Sequence, residues 1–194
     1  MEFLIPSWED IYSMCIKLAD QIKESEFKPD LIVAIARGGW IPGRIMSDLL
    51  CNSNVASMRT EFYKDVAETN AKPVISQKVS APVRGKRVLV VDDVADTGKS
   101  LRAARDYLKK LRPKEIKIAT LHYKPKSVLR PDFFIEETDA WIVYPHERRE
   151  FVKTMVGRFR KDAMSLEDAM KEMRRIGLDP KLADKFVNEC WNAA

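Results

Sequence analysis

Two stretches of the chain are apolar at every position. Leu31–Ala36 reads LIVAIA and Val88–Val91 reads VLVV, each bounded by charge, the pattern of strands buried on both faces of a parallel sheet. Ile116–Tyr123 (IKIATLHY) extends the set, and Val55–Met58, Phe133–Ile135 and Trp141–Tyr144 are shorter apolar segments. Between them the apolar period changes to that of helices. Ile11, Cys15, Leu18 and Ile22 share a face, after Ser7 and Asp10 spaced as a capping box and before the break at Lys28-Pro29-Asp30. Ile45, Met46, Leu49 and Leu50 follow Pro42, and Leu101, Ala104, Leu108 and Leu111 run to Pro113. Residues Arg59–Arg84 are polar and poorly periodic; a hairpin of Phe62–Tyr63 with Val74–Val79 is the weak signal there, and such a stretch reads as a lid or as disorder. Three helices close the chain. Phe151, Val152, Met155, Val156 and Phe159 mark one. Ser165 caps Leu166–Ile176, with Asp168 at the capping-box position and Gly177 as the stop. Asp179-Pro180 opens the last, carrying Leu182, Phe186, Val187 and Trp191.

Composition narrows the class. The 194 residues suffice for one domain with an appendage, and 45% hydrophobic content is globular. No apolar run approaches a membrane span, and Met1–Pro6 lacks the basic start and length of a signal peptide. Cys15, Cys51 and Cys190 are odd in number and scattered, which fits a reducing cytoplasm and neither a disulfide framework nor a metal cluster. The net charge of +5 suits nucleic acid or a small polyanionic substrate. Because the basic residues are dispersed and no nucleic-acid motif is present, the second is preferred.

The chemistry concentrates in Val88–Leu101, VLVVDDVADTGKSL. A buried strand leads to Asp92 and Asp93, then to a small polar turn, Asp96-Thr97-Gly98-Lys99-Ser100, then to a helix. A helix start offers unpaired N–H groups and a positive dipole end to a phosphate, and Gly98 permits close backbone approach. Thr97 and Ser100 add hydroxyls. Carboxylates repel phosphate but accept hydrogen bonds from sugar hydroxyls and favour a cation. A ribose 5-phosphate wants both: its anion at the helix, its diol at the acids. Gly98-Lys99-Ser100 also ends as a P-loop does, yet the glycine required five residues earlier is Asp93. The plain alternative, a buried strand with an incidental acidic cap, leaves the third acid beside Thr-Gly unexplained. Paired glycines in Ala36-Arg37-Gly38-Gly39 follow the other buried strand; spacing alone fits an anion-wrapping turn and an ordinary strand-to-helix turn equally. Lys124 at a strand end reads on its own as a solvated rim residue, and Trp141 as core.

Val88–Ser100 resembles the signature of the type I phosphoribosyltransferases, which bind 5-phosphoribosyl 1-pyrophosphate (PRPP), and the resemblance extends over most of Leu31–Glu147. It implies an α/β fold with a central mostly parallel sheet flanked by helices and a small base-binding hood, over 1–149; from Glu150 the resemblance fades, and 150–194 reads on its own residues as a C-terminal helical extension. It implies transfer of the phosphoribosyl group to a 6-oxopurine (hypoxanthine, guanine or xanthine), giving a purine mononucleotide and pyrophosphate with Mg²⁺. Asp92 and Asp93 would bind the ribose; Asp96, Thr97, Gly98, Lys99 and Ser100 the 5-phosphate; Ala36, Arg37, Gly38 and Gly39 the pyrophosphate, with a cis Ala36–Arg37 bond. Asp96 would be the acid/base group at purine N7. Lys124 would reach the base O6, Trp141 would stack on the base, and the Ile142 main chain would pair with its edge. Asp92, Asp93 and Glu147 would approach the metal through PRPP or water. Glu147 stands where the family has aspartate, so Arg148 or Arg149 is the alternative contact to pyrophosphate; His146 reads as structural. The polar stretch before the PRPP strand matches the family's mobile loop. A homodimer or higher homo-oligomer is expected, with no membrane and no nucleic-acid partner. The readings kept beside it are a phosphoribosyltransferase for adenine or a pyrimidine, and a PRPP- or nucleotide-sensing regulator without turnover.

Overall fold

The computed structural model describes residues 2–63 and 72–193. In chain order the elements are β1 (Phe3–Leu4), α1 (Trp8–Glu24), β2 (Leu31–Ala36), α2 (Trp40–Leu49), β3 (Val55–Tyr63), β4 (Lys72–Gln77), β5 (Arg87–Ala95), α3 (Lys99–Lys110), β6 (Glu115–Tyr123), β7 (Phe133–Glu137), β8 (Trp141–Ile142), α4 (Arg148–Lys161), α5 (Leu166–Ile176) and α6 (Pro180–Asn192). They form two compact units, Ile11–Asp139 and Met1–Asp10 with Ala140–Ala194.

The larger unit is built on a six-stranded sheet of order β4-β3-β2-β5-β6-β7. All neighbours are parallel except the antiparallel β3–β4 pair. Alternation along β2 and β5 divides their side chains between the two faces. Leu31, Val33, Ile35, Val88 and Val90 pack with Leu101, Ala104 and Leu108 of α3. On the opposite face α2 lies so close that a Cβ on Gly43 would stand 2.8 Å from the Ala34 Cβ. Ile11, Cys15, Leu18 and Ile22 of α1 are fully buried, as their spacing predicts. The chain runs from β2 outward to β3 in one direction and from β5 through β6 to β7 in the other. The order therefore reverses between β2 and β5, and a crevice for ligands opens at the carboxyl ends of strands at such a point.

Two elements are longer than the apolar pattern suggests. β5 does not stop at Val91; pairing of Asp92 with Thr120, and on to Ala95 with Tyr123, carries the strand through both acids. β3 runs past Met58 to Tyr63 and pairs antiparallel with β4, so a hairpin forms, but with Phe62 and Tyr63 opposite Pro73 and Lys72 and not within Val74–Val79. The middle of the expected mobile stretch lies outside the described residues.

In the smaller unit β1 pairs parallel with β8, Phe3 with Trp141 and Leu4 with Ile142. Both strands of this pair fall in the unit made of Met1–Asp10 and Ala140–Ala194. Phe151, Val152, Met155, Val156 and Phe159 of α4 form a core with Ala169, Met173, Ala183 and Val187. Ser165 accepts from the Asp168 amide at 3.1 Å, Asp179 from the Leu182 amide at 3.0 Å, and Gly177 takes φ +111°, so all three end signals operate as read.

Candidate active site

β2 ends at Ala36, and the Ala36–Arg37 peptide that follows is cis. The turn continues through Gly38 and Gly39, where the Gly39 amide donates to the Ile35 carbonyl at 2.8 Å. Neither glycine has room for a side chain. A Cβ on Gly38 would lie 2.3 Å from Asp93 Oδ2, and one on Gly39 2.3 Å from the Val91 carbonyl oxygen. The two glycines thus let this turn rest directly on the end of β5.

What it rests on is a pair of buried carboxylates, Asp92 and Asp93, 9% and 7% exposed. Asp92 accepts from the Asp93 amide at 3.1 Å, and Asp93 from the Val94 amide at 2.8 Å. Burial and the adjacent Asp93 carboxylate push the Asp92 carboxyl well above the usual carboxylate range; the Asp93 and Gly39 amides oppose this only partly. A polar sugar hydroxyl or a cation would relieve that strain. On β6, paired with this segment, Thr120 and His122 are fully buried. Desolvation lowers the His122 pKa to about 4, so its imidazole is neutral near pH 7.

The chain then turns through Asp96 and Thr97 into α3. Gly98 takes φ +71° as the residue before the helix, and no side chain caps the helix start. The nearest local contact is the Lys99 amide on Thr97 Oγ1, at 3.4 Å. The free N–H groups and hydroxyls of Thr97–Ser100 make this helix tip a ready acceptor of a phosphate. The turn is braced from behind. The Val128 amide donates to the Thr97 carbonyl at 3.0 Å, Arg102 donates to the Val128 carbonyl, and a Cβ on Gly98 would strike Ser127 Oγ at 2.2 Å. The bracing segment begins at Lys124, whose ammonium lies 3.3 Å from Asp96 Oδ1. Lys126 reaches the same oxygen at 3.4 Å.

Asp92, Asp93 and Ala36–Gly39 therefore meet, and so do Asp96 and Lys124. Trp141, Ile142 and Glu147 lie in the other compact unit. There the Trp141 ring meets Phe3 and Phe151, with the Arg158 guanidinium 5.1 Å over it. The Trp141 amide donates to the Glu2 carbonyl and the Val143 amide to that of Leu4, so strand alternation turns the Ile142 N–H and C=O to the other edge. Glu147 is the residue before α4. Arg148 donates to the Pro6 carbonyl at 3.0 Å and Arg149 pairs with Glu189 at 3.0 Å, so both are engaged within their own unit. His146 stacks on Tyr144, a structural contact as expected. Sequence reading passed over Lys126; its place two residues beyond a strand-end lysine was the available signal.

Among the described residues no group of three or more His, Cys, Asp or Glu could hold a metal ion. Two hard carboxylates alone suit a Mg²⁺ that takes most of its ligands from substrate and water. Among the described residues no helix is long and apolar enough to cross a membrane.

Comparison with known proteins agrees with this geometry. Residues 7–147 match the phosphoribosyl transferase domain model. A xanthine-guanine phosphoribosyltransferase of Idiomarina loihiensis is 29% identical over 160 residues, covering 80% of this chain and 94% of that protein. A hypoxanthine-guanine phosphoribosyltransferase of Schizosaccharomyces pombe is 28% identical, covering 74% of this chain and 88% of its own length. The crystal structure of a purine phosphoribosyltransferase from Pyrococcus horikoshii Ot3 superposes with a TM-score of 0.69 at 38% identity, over 75% of this chain and 94% of that one.

Proposed function

The chain belongs to the phosphoribosyl transferase family, and from that membership we propose that it transfers the 5-phosphoribosyl group of PRPP to a 6-oxopurine, releasing pyrophosphate and a purine 5′-mononucleotide. The activity is that of a purine-salvage glycosyltransferase. The observation that carries the reading is the buried Asp92–Asp93 pair packed on the Gly38–Gly39 turn, one short turn ahead of an uncapped helix start.

In this reading the helix tip at Thr97–Ser100 takes the 5-phosphate, with Lys99 contributing field. Asp92 and Asp93 accept from the ribose hydroxyls. As the C1–oxygen bond lengthens, positive charge grows on the ribose, and the same carboxylates stabilise it. The bonding pair leaves with pyrophosphate, held at the Ala36–Gly39 turn. Purine N9 supplies the new bond to C1, and the proton on N7 passes to Asp96. Lys124 and Lys126 hold the Asp96 carboxylate in place. An ammonium is a donor only, so Lys124 satisfies a carbonyl O6 and rejects an amino group; hypoxanthine, guanine and xanthine are preferred over adenine. The resemblance to the family assigns Trp141 and the Ile142 main chain to recognition of the base. Asp92 and Asp93, directly or through water, would hold Mg²⁺; the resemblance to the family adds Glu147 to the acids that would approach it through PRPP or water. When bound, the ion supplies charge neutralisation at the leaving pyrophosphate.

The test is incubation with PRPP, MgCl₂ and one base at a time, reading both pyrophosphate and nucleotide. Turnover with a 6-oxopurine and not with adenine or orotate is expected. Turnover with adenine or orotate alone assigns another base, and none with any base leaves a sensor.

A further inference from the structure

Beside the Ala36–Arg37 turn lies a cavity of about 550 Å³, lined by Ala36, Arg37, Arg59, Thr60, Glu61 and Phe62. Four of those six residues, Arg59 to Phe62, have been given no role so far. Strand register explains its position: in the β2–β3 pair Arg59 stands opposite Ala36, at the carboxyl end of the sheet. The β3–β4 register shifts between Arg59 and Thr60. An irregularity at that place re-aims the side chains on either side of it, and such shifts recur beside active sites.

One feature of this wall points to an absent ligand. Arg59 is paired with Glu61 at 2.8 Å, with both side chains more than a third exposed. An ion pair so exposed is weak and cheap to exchange. A guanidinium presents a planar fork of donors that matches two phosphate oxygens, and its bond to a polyanion is stronger than one to a wet carboxylate.

Resting on the reaction proposed above, we infer that Arg59 is a binding residue for the pyrophosphoryl group and that Glu61 is its placeholder. Without ligand, Glu61 keeps the guanidinium extended along the cavity wall. The incoming pyrophosphoryl group, held on its other side by the Ala36–Gly39 turn, takes Arg59 over. Glu61 competes with the ligand for one partner, so it sets the threshold for pyrophosphate capture and release.

The test reads binding directly, by titration calorimetry of inorganic pyrophosphate in excess MgCl₂, with a purine nucleoside monophosphate as control. Arg59→Gln weakens pyrophosphate about 10- to 100-fold and leaves the monophosphate within about twofold. Arg59→Lys, which keeps charge but loses the fork, falls between. Glu61→Gln tightens pyrophosphate severalfold, an effect that a merely structural surface pair would not produce. The inference is overturned if Arg59→Gln binds pyrophosphate like the native protein, if it weakens both ligands equally, or if Glu61→Gln weakens pyrophosphate. Should Arg59→Gln unfold, Arg59→Lys and Glu61→Gln still decide. Native turnover is assayed separately: a protein that uses Arg59 for pyrophosphate but turns over only adenine sinks the base assignment and leaves this inference standing.

Discussion

Strand β5 carries charge at both ends and treats it in opposite ways. At its amino end Arg87 is clamped to Asp30, the residue before the neighbouring strand β2, by Nε at 3.1 Å, Nη2 at 2.8 Å and its own amide at 2.8 Å. These hydrogen bonds hold the Asp30 carboxyl far below the usual carboxylate range. At the carboxyl end Asp92 sits against another carboxylate with its pKa driven upward. One end is complete without a ligand; the other becomes complete only with one. A sheet can thus be secured at one end and left electrostatically frustrated at the other, and the frustrated end is where chemistry belongs.

The contrast breaks most visibly at Asp96. Asp96→Asn is expected to lower turnover about 10²- to 10⁴-fold with the melting temperature unchanged, measured as kcat beside a thermal scan. A lower melting temperature with near-native turnover per folded molecule would make Asp96 a turn-fixing residue. Asp92→Asn sharpens the contrast differently. A carboxyl whose native pKa is raised takes stability away as pH climbs from the ordinary aspartate value through the raised one. The ligand-free variant should therefore melt higher than the native protein at pH 7 while losing turnover by about 10²-fold or more.

His122 sets the acid side of the same end. Below about 6.5 the unfolded chain takes up a proton that the native imidazole refuses until about 4. Stability should fall through that window by about 3 kcal/mol, and His122→Gln should flatten this part of a denaturation-versus-pH curve. The smallest effect belongs to the secured end. Asp30→Asn should cost a modest fall in melting temperature, with kcat and KM unchanged, and its stabilising contribution in the native protein should disappear only below about pH 4. A large loss of turnover there would mean that the two ends are coupled.

Much of this was legible in the residues, for physical reasons. The apolar runs of β2, β5 and β6, the helical faces and the end signals at Ser165, Gly177 and Asp179 are local, so periodicity and capping chemistry reveal them. The order of strand, acids, turn and helix in Val88–Leu101 carries its chemistry within one stretch, and the cis bond after Ala36 was implied by family resemblance. What escaped depends on partners far away in the chain. Asp30 with Arg87, Asp96 with Lys126, Phe3 with Trp141 and the run of β5 through its two acids are set by pairing, which leaves no local periodic trace.

The pairing of β1 with β8 has a consequence for the birth of the molecule. Phe3 and Leu4 are synthesised long before their partners Trp141 and Ile142. Throughout that interval a short apolar strand must wait unpaired, a span in which a chaperone has a segment to hold.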